Sequence, residues 1–463
     1  MRFLALTLLV SGFAQAKSIK DYDFYNYDVF FTNPQCEGYE YDETVYSNEG
    51  DVLRSKPENV YCKRGDKEGN QKREASPHFN LRKLIENEDV NEMFLTFLSF
   101  SNSDIADALC DAIESRNLKV TFIIDKGSRS NEGKRRNLDK VAACRAKNTP
   151  ENEMNIPRTE FRGQVGGLGY AHNKIIIAKY KSEPKKTTLV FASGNMSSGT
   201  VLHHENWHFL TTSTESYISQ VHECIAEGML DHSHSIRASR RANRSAMSAM
   251  DNFKNYMTEC RSKIETPEED DIKTYVVPSD GDEAMENIVK GIKAAEKVDV
   301  AVHRFTHPDL REAMKEAAKK GKRVRMVADD DIYWVGENAP RNNGNITCRG
   351  AQNVGANMCF EYFNMRSVDR SGVDVRFMET NHNVFLLHHN KYIIFDYAEE
   401  NERADGVHCG AGNFTQAAFS KNFENFYYIT VPEVVETFKA QYEYMFTELA
   451  TAEEEMPDTM VMP

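Results

Sequence analysis

The tripeptide His-Asn-Lys occurs twice, at His172-Asn173-Lys174 and His389-Asn390-Lys391, and each copy opens an apolar run leading to a small-residue turn that ends in Asn. The spacing between the copies is nearly constant. It is 217 residues from His172 to His389, 218 from Asn195 to Asn413 and 219 from Glu205 to Glu424. Polar landmarks repeating in register at this length describe two fused copies of one unit, because solenoid repeats are far shorter.

The repeat extends upstream. Met93 to Leu98 is answered by Val298 to Val302, and Lys119 to Asp125 by Arg323 to Asp329. Each pair of apolar runs brackets a segment of helical periodicity, Ile105 to Glu114 and Leu310 to Lys319, so each half reads strand, helix, strand. Asp329 and His389 are 60 positions apart against 47 between Asp125 and His172, which gives the second half the longer insertion. The expected fold is α/β: two tandem domains, each a mixed sheet flanked by helices, related by a pseudo-twofold axis that brings His172 and His389 together.

These residues resemble the phospholipase D superfamily, whose motif is His-x-Lys followed after four residues by Asp, then a Gly/Ser-rich turn with Asn, then Glu-Asn. The second half carries His389, Lys391, Asp396, Gly410-Ala411-Gly412-Asn413 and Glu424-Asn425. The first carries His172, Lys174, Ser193-Gly194-Asn195 and Glu205-Asn206, but Lys179 stands where the motif has Asp. The resemblance covers roughly residues 78 to 445. It implies a phosphodiesterase in which one His attacks phosphorus and the other protonates the leaving oxygen, with no metal or other cofactor. His172 is expected as the nucleophile and His389 as the acid. Lys174, Lys391, Asn195 and Asn413 supply donors, and Glu205 and Glu424 accept from the imidazoles and fix their tautomers. Asp396, Ser197 and Thr415 are expected to support the site, although the two hydroxyls fit a turn-stabilising role nearly as well.

A chain of 463 residues can hold two cores. Arg2, the apolar Phe3 to Val10 and Ala14-Gln15-Ala16 have the order of a secretory signal, so 1–16 reads as a removed leader. Lys17 to Pro77 reads as a disulfide-tied extension without a counterpart in the second half. Residues 78–264 and 265–445 read as the two domains, and 446–463 as an acidic disordered tail. Export to a secreted or periplasmic location makes pairing of the nine cysteines the expectation. Sequence neighbours suggest Cys36 with Cys62, Cys110 with Cys144, Cys224 with Cys260 and Cys348 with Cys359, leaving Cys409 as a buried thiol. The absence of paired Cys-x-x-Cys spacing argues against zinc. His203, His204 and His208 beside Glu205 are not read as metal ligands, because alternation along a strand sends neighbours to opposite faces.

The net charge of −14 disfavours a polyanionic partner unless basic residues are segregated. The resemblance of an exported two-motif chain to secreted phospholipases D implies a phospholipid headgroup as substrate, with transient contact to a membrane surface, and two motifs in one chain imply a monomer. A secreted nuclease acting on DNA or RNA is the alternative, and a catalytically inactive binding module a third reading. Trp334, which follows a strand end, reads as packing or as lining of the substrate mouth.

Overall fold

The computed structural model describes residues 18–39, 45–46, 52–53, 59–62, 65–236, 246–267, 271–337, 341–342, 345–346, 356–378 and 387–456. The leader reading for 1–16 lies outside them.

Seven strands form the first sheet: β1 (Asn26–Phe31), β2 (Val90–Phe97), β3 (Lys119–Asp125), β4 (Arg158–Arg162), β5 (Ile175–Tyr180), β6 (Lys186–Ala192) and β7 (Asn206–Ser213), in the spatial order β1-β7-β6-β5-β2-β3-β4. Eight form the second: β8 (Ile272–Val277), β9 (Lys297–Val302), β10 (Arg323–Asp329), β11 (Asp374–Met378), β12 (Tyr392–Asp396), β13 (Gly406–Gly410), β14 (Glu424–Ile429) and β15 (Ala450–Ala452), in the order β8-β14-β13-β12-β9-β10-β11-β15. Strand for strand the orders coincide, and β15 adds one antiparallel edge. In each sheet three neighbouring strands pair in parallel and the remaining pairings are antiparallel.

The parallel strands need crossovers. Ser103–Arg116 supplies the first, starting where the Asn102 side chain accepts from the Ile105 N–H at 3.2 Å and stopping at Asn117 in the left-handed region. Pro308–Lys319 supplies the second, with Pro308 at its first turn. Its apolar positions Leu310, Ala313, Met314 and Ala317 are buried, the i, i+3, i+4, i+7 stripe that packs a helix on a sheet.

Each half has its own outer core, Leu81 to Phe209 in the first and Tyr275 to Met456 in the second. A third core is shared between the halves. It joins Ile175, Ile177 and Phe191 of the first sheet to Tyr392, Ile394, Val407 and Tyr427 of the second, with Phe253 and Phe438 from helices Ala249–Arg261 and Pro432–Tyr444. This common apolar layer fixes one half against the other.

The structure corrects three expectations. Part of Lys17 to Pro77 does have a counterpart, because β1 pairs antiparallel with β7 as β8 pairs with β14. The tail reading fails for 446–456, where β15 joins the sheet and Phe446 and Met456 are buried; 457–463 lie outside the described residues. Apolar burial at those two positions outweighs the acidic run between them. Asp396 does not support the site. It ends β12 away from His389 and pairs at 3.0 Å with Lys297, its partner across the ladder. At the equivalent rung β2 carries Glu92 and β5 carries Lys179, so the signs are exchanged between the halves. The Lys179 ammonium reaches Glu223 at 2.8 Å rather than its sequence neighbour Glu183.

Three of the expected disulfides are present, Cys36–Cys62, Cys110–Cys144 and Cys224–Cys260. Cys359 is disulfide-bonded, and Cys348 lies outside the described residues. Cys409 is free and buried 3.6 Å from His208 Nε2, and burial pushes its thiol up. Trp334 is a packing residue, 4% exposed, donating to Asp330 at 3.1 Å.

Candidate active site

Both His-Asn-Lys turns lie just ahead of a central strand, β5 or β12, and the halves tie them down reciprocally. The His172 N–H donates to Phe423 O at 3.0 Å, and the His389 N–H donates to His204 O at 3.0 Å. Parallel bridges join Ala171 to Phe423 and His204 to His388. Phe423 and His204 immediately precede Glu424 and Glu205, so each glutamate is delivered to the opposite half. Glu424 Oε2 lies 2.8 Å from His172 Nδ1, and Glu205 Oε1 lies 2.8 Å from His389 Nδ1. A carboxylate can only accept there, so each imidazole carries its proton on Nδ1 and keeps its lone pair on Nε2.

Two lysines close the centre. Lys174 is fully buried, its Nζ 2.9 Å from His172 O and 3.2 to 3.3 Å from the His172 ring nitrogens. Lys391 is 1% exposed and donates to His389 O. Burial lowers the Lys174 ammonium to about 8 and the Lys391 ammonium well below its ordinary range. Burial also lowers both imidazoles, opposed at His172 by Glu424. An arriving phosphodiester anion favours a proton on one of them.

The small-residue turns are required by close approach. A Cβ on Gly194 would stand 2.9 Å from Trp207 Nε1, and one on the equivalent Gly412 would stand 2.2 Å from Phe426 Cζ. Beyond each glycine, Asn195 and Asn413 leave a buried side-chain oxygen without a partner among the described residues. The asparagines after the glutamates hold the turns. Asn425 Oδ1 accepts from the Lys174 N–H at 3.0 Å, and Asn206 Nδ2 donates to Asn390 Oδ1 at 2.9 Å. Ser197 bonds Thr200 at 2.7 Å and Thr415 caps Gln416–Ser420, so both hydroxyls serve their turns.

Several participants were missed in the sequence. Asp125 accepts from the Ala171 N–H at 2.8 Å and Asp329 from the His388 N–H at 2.9 Å, each fixing the residue before a site histidine. In sequence both end an apolar run, and their recurrence at one point of the repeat is the signal that marks them. His303 and His203 also stand close, with ring centroids 4.6 and 6.1 Å from His389. His208 does not, being buried against Tyr27. Among the described residues, the carboxyl groups of Asp329, Asp330 and Asp331 meet the spacing for a shared cation, and Asp329 and Asp331 lie 3.7 and 3.5 Å from the Arg304 guanidinium.

Two crossed histidine–glutamate pairs with two buried lysines are thus built from two copies of one α/β unit. Residues 288–446 match the family model described as cardiolipin synthase, PLD-like domain, so this stretch of the chain is phospholipase D-like. Among solved structures, phosphatidylserine synthase of Haemophilus influenzae Rd KW20 is similar over 81% of this chain and 84% of its own, at 12% identity and TM-score 0.55. Polyphosphate kinase of Porphyromonas gingivalis is similar over 80% of this chain at 13% identity and TM-score 0.47, and this chain spans 48% of it. Yeast tyrosyl-DNA phosphodiesterase is similar over 76% of this chain and 85% of its own, at 9% identity and TM-score 0.43. No curated protein matches the sequence.

Proposed function

We propose that the chain is an exported phosphodiesterase that hydrolyses phospholipid headgroups through a phosphohistidine. The observation carrying this is the pair of crossed contacts, His172 with Glu424 and His389 with Glu205. His172 Nε2 attacks phosphorus while Glu424 holds the Nδ1 proton. His389, protonated, gives its Nε2 proton to the leaving alkoxide as the phosphorus–oxygen bond breaks. Neutral His389 then takes a proton from water, whose oxygen attacks phosphorus and frees His172. Lys174, Lys391, Asn195 and Asn413 offset charge on the equatorial oxygens.

The lipid substrate is supported by the net charge of −14, unfavourable for a polyanion. The matched family model, described for cardiolipin synthase, leads the same way. Export is supported by three disulfides, which persist in oxidising compartments. Among the described residues no helix is long and apolar enough to cross a membrane. The test is product identity with purified protein: release of headgroup from phospholipid micelles against digestion of single- and double-stranded DNA and RNA. Headgroup release with intact nucleic acid is expected, and the reverse would replace lipid with nucleic acid as substrate.

A further inference from the structure

The two halves of the site are not equivalent around their histidines. The residue two before the glutamate is Asn422 on the His172 side and His203 on the His389 side, matched by the bridges at Phe423 and His204. The residue two before the conserved bridge of the crossover loop is Leu98 in the first half and His303 in the second, matched by Phe100 with Met196 and Phe305 with Phe414. Near His172 these positions offer substrate nothing. Asn422 Oδ1 accepts from the Tyr170 N–H at 3.0 Å and its Nδ2 donates to Glu424 at 3.0 Å, while Leu98 has no polar side-chain atom. Near His389 they present two imidazoles.

The roles of the ring nitrogens follow from their partners. His303 Nδ1 lies 3.2 Å from His388 O, and a carbonyl can only accept, so Nδ1 carries the proton. Burial, with Arg304 beside it, keeps the ring neutral. Nε2 of His303 is then a lone-pair acceptor, without a partner among the described residues, on a ring centred 4.6 Å from His389. His203 Nδ1 faces Glu205 Oε1 at 3.6 Å.

We infer that His303 and His203 form a subsite for the departing alcohol, selecting one that carries further hydroxyl or ammonium donors. This rests on the phosphodiesterase reading above. In-line displacement puts nucleophile and leaving oxygen on opposite sides of phosphorus, so a donor-bearing alcohol held at His389 makes His172 the attacking group. The donors bond to His303 Nε2, and the substituent that stays on phosphorus lies on the Leu98 side. A site built to bond a substrate hydroxyl discriminates against the analogue lacking it, since its buried polar atom is left unpaired.

The test compares phosphatidylglycerol with phosphatidylpropanol in the same mixed micelles; the leaving alcohols differ by two hydroxyls. The wild type is expected to prefer phosphatidylglycerol. His303→Leu, which copies the first half, should lower the ratio of the two kcat/KM values by about tenfold or more, and His303→Gln should restore part of it. His203→Asn, which copies the second half, gives a second variant should His303→Leu fail to fold. Peptide mapping of the trapped intermediate at alkaline pH, where a phosphohistidine survives, should find the phosphoryl group on His172. An unchanged ratio in the folded variants, or phosphate on His389, overturns the inference. Turnover of bis(p-nitrophenyl) phosphate without headgroup preference removes this inference alone, whereas turnover of none of the three compounds removes the phosphodiesterase reading and this one with it.

Discussion

Glu424 lies 252 residues from His172 in sequence and 2.8 Å from it in space. The reciprocal pair, Glu205 with His389, makes each half supply the partner of the other half's imidazole. Removing either carboxylate leaves a buried imidazole in the wrong tautomer while the sheets stay intact.

Glu424→Gln and Glu205→Gln are therefore expected to lower kcat by about 10²-fold or more with folding retained, and His172→Ala or His389→Ala to abolish turnover. Adding Glu205→Gln to His389→Ala should cost almost nothing further, because the two act as a unit. Steady-state rates with circular dichroism decide the matter. Additive losses would mean that the glutamates act independently of the histidines they face.

Activity is expected to persist in EDTA, because the donors proposed for the phosphate are the side chains of Lys174, Lys391, Asn195 and Asn413 rather than a metal. Loss on chelation with recovery on adding a divalent ion would instead direct attention to Asp329, Asp330 and Asp331.

Acid should destabilise the protein well above the carboxylate range. Burial pushes His78, His204 and His222 down to about 4, and His208 and His408 to about 3. In the unfolded chain these rings take up protons near 6.5, so below that pH the unfolded state binds protons that the native state refuses. The stability they contribute is present above 6.5 and is lost as pH falls toward 4, at up to ~1.4 kcal/mol per pH unit for each ring. A melting series from pH 7.5 to 4.5 should show a falling Tm beginning near 6.5, and a flat profile down to 5 would show that these rings are solvated.

Lys179→Ala and Asp396→Ala should each cost only about 0 to 1 kcal/mol. Lys179 pairs with Glu223 at side-chain exposures of 39% and 46%, and Asp396 with Lys297 at 27% and 47%. Both pairs are partly exposed to solvent, which screens them. Melting curves and rates check this; a dead Asp396→Ala enzyme would mean that the rung controls the turn at His389.

The landmarks that recur along the chain were legible in sequence: both His-Asn-Lys turns, the glycines before Asn195 and Asn413, and the crossover helices. Their spacing carries the fold because periodicity is a local property. The crossing of Glu205 and Glu424 was not legible, since nothing local records which half a side chain faces. β1 escaped notice because Asn26–Phe31 and Ile272–Val277 share no polar landmark, only an edge position in their sheets. His303 was hidden for the opposite reason: its counterpart is Leu98, and a search for repetition passes over what the halves do not share.

The exchanged signs at the far rung say something about how such a chain has diverged. Glu92 faces Lys179 in one sheet and Lys297 faces Asp396 in the other. Reversing one member alone would have set like charges across the ladder. Opposite charges thus face each other at this rung in both sheets, although in the first the ion pairs run from Glu92 to Lys119 and from Lys179 to Glu223. A comparison that scores facing residues together would recognise the first half as kin where a letter-by-letter reading finds Lys179 a misfit.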